Sequence, residues 1–245
     1  MKIAIITDIH GNAHALEAVL QDIDNHDITH IYCLGDMIGI GPDTNAVLDM
    51  LFSREDVSMI TGNHDEAILA LAKGEAYPKS HAHVRAHHQW IANRIEQPYI
   101  EKLSKLPRMI TENIEQNTVR FLHYAIADGK LEAPISEDPF APILDPSLRN
   151  MEVLFQTYEE DLIVFGHHHP KHYFKNDKTT YLNPGALGCQ HQPVAPYAIV
   201  EFSGRGFEAE VVEVPYDNRA FLASYHELEV PDKDIILKIF HGNQI

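Results

Sequence analysis

KIAIITDIHGN, residues 2 to 12, decides how the rest of the chain is read. The apolar, largely β-branched run from Ile3 to Ile6 reads as a buried strand. It stops at Asp8, and Asn12 stands where a helix cap belongs. Beyond it Leu16, Val19, Leu20 and Ile23 recur at helical spacing, so this strand feeds a helix. The pattern then repeats. HIYCLGD (30–36) reads as a second strand, followed by the glycine-rich loop MIGIGPD (37–43) and a helix through Val47, Leu48 and Leu51. VSMITGNHD (57–65) reads as a third strand. Strands alternating with helices are the sequence form of βαβ units and predict an α/β fold with a largely parallel first sheet.

After residue 65 the rhythm changes. Residues 66 to about 106 hold three helical stretches interrupted near Pro78 and Pro98, with no strand between them, and read as a helical insertion over one end of the sheet. The second half reads as mostly antiparallel. RMITENI and TVRFLHY form a hairpin around residues 115–117, a Pro- and Asp-rich loop leads to a helix near 147–158, and LIVFGHHH is a buried strand. HYFKN pairs with TTYLNPG and AIVEF with FEAEVVEV, and two helices follow Pro215-Tyr216-Asp217. No repeat or linker interrupts residues 1–245, which read as one domain carrying the insertion.

The 36 Asp and Glu residues outnumber 19 Lys and Arg, a formal charge of −17. Such a surface repels long nucleic acids and anionic membranes. The N-terminal apolar run is too short for a signal peptide, and no stretch reaches transmembrane length. Two cysteines, Cys33 and Cys189, give no disulfide framework. All of this fits a cytoplasmic protein.

The polar residues fall at the strand ends. Asp8 and His10 follow the first strand, Asp36 the second, Asn63 and His64 the third; His123 ends TVRFLH, and His167 and His169 follow LIVFG. Taken alone, Asp8 or Asp36 is a turn residue or cap, Asn63 a turn, and His123 a hydrogen-bonded core histidine. Together they form an N/O donor set without thiolate, suited to Mn, Fe or Zn, at the strand ends where α/β sheets gather ligands. In GHHHP (166–170), alternation along an extended chain puts His167 and His169 on one side and His168 on the other. A further cluster, His81, His83, His87 and His88 within SHAHVRAHHQW, reads as a solvated helix face rather than a third metal site. A middle reading lets one of these, or Arg85, reach over the site.

DIHGN (8–12), GD (35–36), GNHD (62–65), the strand-terminal His123 and GHHH (166–169) resemble, in order and spacing, the motifs of the calcineurin-like metallophosphoesterases. The GDMIGIGPDTN loop, the NPG at 183–185 and the PYD resemble their small bacterial phosphodiesterase branch. The resemblance implies a four-layer αββα sandwich of two mixed sheets flanked by helices. It implies two divalent or trivalent ions, Mn first with Fe or Zn as alternatives. One ion is held by Asp8, His10, Asp36 and His169, the other by Asp36, Asn63, His123 and His167, with Asp36 bridging. Such a pair clamps a phosphoryl oxygen and activates a bridging water for in-line attack. His64, matching the family's catalytic histidine, would donate to the leaving or an equatorial oxygen.

Two positions depart from wider family patterns. The acid that orients the catalytic histidine in the protein-phosphatase branch is here Gly39, leaving Asp65 as a candidate, and His123 is followed by Tyr124-Ala125 where Gly-Ser is usual. Asn12 is a helix cap or a phosphate contact. The expected activity is hydrolysis of a small phosphodiester or nucleotide-type substrate. A phosphomonoesterase or protein phosphatase is the alternative, and a non-catalytic scaffold on the same fold is disfavoured by the presence of His64.

Overall fold

Along the chain run β1 (Lys2–Ile6), α1 (Ala13–Asp24), β2 (His30–Cys33), α2 (Thr44–Phe52) and β3 (Val57–Met59). Helices alone follow: α3 (Asn63–Lys73), a 3-10 segment (Lys79–Val84), α4 (Arg85–Ala92) and α5 (Gln97–Leu103). Then come β4 (Met109–Ile114), β5 (Asn117–Leu122), α6 (Leu148–Leu154), β6 (Leu162–Val164), β7 (His172–Lys175) and β8 (Thr180–Asn183). The chain closes with β9 (Val194–Ser203), β10 (Gly206–Pro215), α7 (Arg219–Glu227) and α8 (Lys233–His241). This is a computed structural model, and it describes residues 1–244.

β1 sets the layers. Its side chains alternate, so Ala4 and Ile6 pack among the buried residues of α1 and α2, while Ile3 and Ile5 face the second sheet. Across that inner layer Tyr32 stacks on Phe121 with ring centroids 3.8 Å apart. Such a pair is worth about 0.5–1.5 kcal/mol beyond the area it buries. On the outer face of the second sheet, Met151 and Phe155 pack against Leu122, Ile163 and Phe165. Helix, sheet, sheet and helix make the αββα sandwich.

The first sheet has the order β10-β9-β1-β2-β3, with β1, β2 and β3 parallel and β9 antiparallel to β1. The second has the order β4-β5-β6-β8-β7. It is not mostly antiparallel: β5, β6 and β8 run parallel, and only the edge hairpins reverse. Between β5 and β6 the chain passes through α6, a crossover of the length that parallel pairing requires. Both sheets are therefore mixed, and the carboxyl ends of β1, β2, β5 and β6 converge on one site. α7 and α8 pack with Ile40, Ala186 and Cys189 in a separate apolar cluster beside it. Among the described residues no helix is long and apolar enough to cross a membrane.

Candidate metal centre

Asp8 (φ 53°), His10 (φ 49°), Asp36 (φ 49°) and His167 (φ 66°) leave their strands in the left-handed backbone region. For residues other than glycine this costs about 1–3 kcal/mol each and persists only where the surroundings enforce it. Here the loops are stitched together: Asp8 N donates to Gly35 O (3.1 Å), His10 N to Asp36 O (2.9 Å) and Gly166 N to His123 O (2.9 Å). The bends turn side chains that would flank a strand toward a common point.

The same geometry revises the reason for reading GHHHP as it was. β6 ends at Val164, and His167 sits in a left-handed turn rather than an extended strand. That turn, not alternation, separates the three histidines. His167 joins one cluster, His169 another, and His168 lies against His172 with centroids 5.0 Å apart.

Asp8, His10 and His169 form the first cluster; Asp36, His123 and His167 form the second. His10 Nε2 lies 3.1 Å from His169 Nε2, 3.6 Å from Asp8 Oδ1 and 3.8 Å from Asp36 Oδ2. In the second cluster His123 Nδ1 donates to Leu34 O (2.8 Å), which leaves Nε2 of the neutral ring with a lone pair. That lone pair faces Asn63 Oδ1 at 2.9 Å and Asp36 Oδ2 at 3.3 Å. Three acceptors converging on one point need a positive charge between them. Without a metal that charge is a proton: burial works against it, but the Asp36 carboxylate carries His123 up to about 9. Burial also works to raise Asp8 and Asp36. The neighbouring histidines outweigh it, holding Asp8 down at about 2 and Asp36 well below the carboxylate range.

Helix α3 begins at Asn63, so Asn63 and His64 open a helix and do not end a strand. His64 N donates to Asp36 Oδ1 (2.8 Å), pinning the helix terminus to the carboxylate, where its dipole favours negative charge. Gly62 makes this approach possible, since a Cβ there would lie 2.1 Å from Asp36 Oδ1.

Asp65 does not orient His64. Its oxygens accept from Gly62 N (2.9 Å) and Ile38 N (3.1 Å), tying the start of α3 to the loop after β2. The partner of His64 comes instead from α4: His64 Nδ1 meets His88 Nε2 at 2.8 Å, and His88 Nδ1 meets the Tyr77 hydroxyl at 2.8 Å. Gly39 is what leaves room for it, because a Cβ at that position would press on His64 Nδ1 at 3.0 Å. A second chain holds Asn63. Its Nδ2 donates to His81 Nε2 (2.8 Å), His81 Nδ1 donates to Ser80 Oγ (2.7 Å), and Ser80 donates to Asp138. Donor and acceptor roles are consistent along its length, and it aims Asn63 Oδ1 at His123.

The cluster within SHAHVRAHHQW is therefore not a solvated face. His83 is exposed, but His87 and His88 are buried and His81 is half-buried. Arg85 caps the Tyr77 ring at 4.8 Å. No helical spacing announces this arrangement: Tyr77 precedes the 3-10 segment that carries His81, and His88 lies on α4. Asn12 is fully buried, with Oδ1 capping α1 through Ala15 N (3.0 Å) and Nδ2 donating to Gly188 O and Tyr216 Oη (3.0 Å each).

An αββα sandwich with carboxylate and imidazole sets meeting at its strand ends is the architecture of the metallophosphoesterases. Residues 1–205 match the family model described as calcineurin-like phosphoesterase superfamily domain, and the chain belongs to that superfamily. It is 31% identical over 224 residues to an uncharacterized protein of Methanocaldococcus jannaschii, covering 88% of each chain. A crystal structure of a metallophosphoesterase from Sphaerobacter thermophilus superposes with a TM-score of 0.72 at 24% identity, covering 96% of this chain and 97% of that one. A shorter match joins 76 residues, 30% of this chain, at 36% identity to 27% of the symmetrical bis(5'-nucleosyl)-tetraphosphatase of Chromobacterium violaceum.

Proposed function

We propose that this protein is a dinuclear metal-dependent phosphodiesterase acting on a small phosphoester. The observation that carries the reading is the position of Asp36 Oδ2, 3.8 Å from His10 Nε2 and 3.3 Å from His123 Nε2, so that one carboxylate oxygen serves both clusters. The donor set fits two cations. Asp8, His10, Asp36 and His169 would hold one, and Asp36, Asn63, His123 and His167 the other, with Mn the first expectation and Fe or Zn alternatives. Once bound, the pair supplies Lewis-acid chemistry: neutralisation of phosphoryl charge and acidification of a water.

The rest falls to the chain. The Tyr77 hydroxyl donates to His81 O (3.1 Å), so His88 Nδ1 donates to Tyr77, His88 Nε2 accepts from His64 Nδ1, and Nε2 of the neutral His64 is left with its lone pair. Protonated there, His64 would donate to the leaving-group oxygen. Asn63, held by His81, fixes the register of α3 against Asp36. The recess over Asp36, about 280 Å³, is lined by His64, Ile143, the three histidines 167–169 and Phe240 among others, with no Lys or Arg. A monoester dianion would bring a second charge that no side chain there meets; a diester monoanion would not. The net charge of −17 argues likewise against long nucleic acids. The partial match to a nucleosyl tetraphosphatase supports a nucleotide-type substrate. Two buried free thiols, Cys33 and Cys189, suit the reducing cytoplasm.

The test is turnover by the Mn-loaded protein of bis(p-nitrophenyl) phosphate, p-nitrophenyl phosphate, single-stranded DNA and a phosphopeptide at low salt. The diester should lead. Preference for the monoester or the peptide would replace this reading with a phosphatase. His64→Ala should keep its metal and lose on the order of 10²-fold in kcat, with a smaller loss for good leaving groups.

A further inference from the structure

Beside His64 lies a cavity of about 760 Å³, within the range of ligand pockets. It runs on from the recess over Asp36, with which it shares His64, Ile143 and Phe240. Val84 from the 3-10 segment, Phe140 from the loop before α6 and Ile236 from α8 line its remainder.

The polar side chains on its wall are already engaged. Asn63 bonds His81, Ser80 bonds His81 and Asp138, and His88 lies between His64 and Tyr77. The ring nitrogens of His87 are sealed from the cavity, and His83 stands at its exposed edge. Among the described residues no Lys or Arg lines it. A polar occupant would therefore leave water without gaining partners, a cost that apolar carbon does not carry.

We propose that this cavity takes the leaving group of the diester, and that the leaving group is an uncharged, apolar alcohol or phenol. His64 decides which substituent sits there: it stands where cavity and recess meet, and it is the residue that would give a proton to the departing oxygen. Water supplies the oxygen that joins phosphorus, the bond to the apolar group breaks, and the freed oxygen takes that proton. The proposal rests on the phosphodiesterase reading and narrows it, setting aside nucleotide-type leaving groups. A nucleoside would bring hydroxyls and base edges that the engaged wall cannot meet, and a nucleotide would bring phosphates into a cavity without a cation.

Phenyl and p-tert-butylphenyl methyl phosphate have leaving groups of nearly equal acidity, so a rate difference between them reads the cavity. With the Mn-loaded protein the tert-butyl ester should lead in kcat/KM by about 10-fold or more, since each methylene moved out of water is worth about 4-fold. p-(Hydroxymethyl)phenyl methyl phosphate should fall to the phenyl ester or below it. The lead should collapse in Ile143→Asp and in Val84→Asp, neither of which alters a buried position. Binding is read separately. Trp90, the sole tryptophan, stacks on His87 with centroids 6.4 Å apart and planes 10° from parallel, so the neutral probe N-phenyl-1-naphthylamine should quench it saturably on entering. p-tert-Butylphenol should displace the probe, and adenosine should not. A tert-butyl ratio near one, a ratio untouched by both variants, or displacement by adenosine as readily as by the phenol would overturn the proposal. Saturable probe binding without turnover of any ester would instead remove the phosphodiesterase reading.

Discussion

The strand ends and the helical stretch between β3 and β4 use histidine in opposite ways. At the strand ends the rings lie against Asp8 and Asp36; the carboxylates carry His123 up to about 9 although burial opposes it, while at His167 and His169 burial prevails and pushes them down to about 3 and about 4. In the helices no carboxylate touches His87 or His88, and burial pushes them down to about 4 and about 3. The first region is organised to receive positive charge. The second stays neutral and accepts hydrogen bonds from His64 and Asn63. The side chain is the same; whether its ring nitrogens meet the carboxylates of Asp8 and Asp36 or hand a hydrogen bond to another side chain decides its task.

The comparison breaks most visibly at Asp36, the carboxylate proposed to bridge the two clusters. Asp36→Ala should remove both metal equivalents and lower turnover by about 10³-fold or more. Trp90 fluorescence should hold, since the His87 contact does not pass through Asp36. Elemental analysis decides the point. Full retention of one metal equivalent would mean that the clusters are independent and that Asp36 is not shared.

A smaller effect tests the helical side. His88→Phe keeps a ring in place but removes both hydrogen bonds, so kcat should fall about 10- to 100-fold with metal content and KM nearly unchanged, and His88→Gln should recover part of the loss. A rise in KM at constant kcat would make His88 a substrate contact instead. His81→Ala should act differently, weakening metal at the cluster of His123 and His167 as Asn63 loses its hold.

What was legible follows the same division. β1 to β3, the three edge hairpins (β4–β5, β7–β8 and β9–β10) and the strand-end residues could be read because apolar alternation and turn residues are local signals. The parallel pairing of β5, β6 and β8 could not, since partner choice in a sheet depends on crossovers that periodicity does not record. Asp8, Asp36, His10 and His123 announced themselves by position. His88 and Tyr77 did not, because their importance depends on Gly39 leaving a gap 49 residues before His88, a relation visible only in three dimensions. His167 and His169 were chosen through alternation, but a left-handed turn is what separates them from His168.

The effect on turnover is smallest where acid acts on the neutral histidines, whose protonation bears on stability. His87 and His88 titrate near 6.5 once exposed, but at about 4 and about 3 when the helices are closed. Their folded pKa values are depressed, so an opened form takes up protons that the closed form refuses. The closed state therefore has its full stability above about pH 6.5 and loses up to about 1.4 kcal/mol per histidine for each unit of acidification toward about pH 4. Hydrogen exchange on the metal-free protein, followed from about pH 7.5 to about 4.5, should show α4 amides losing protection before those of β1 and β2, with Trp90 fluorescence changing in parallel. His87→Phe should shallow that slope by removing one of the two protons. Simultaneous loss across α4 and the sheet would show that the helices do not open separately, and that the two regions respond to acid as one.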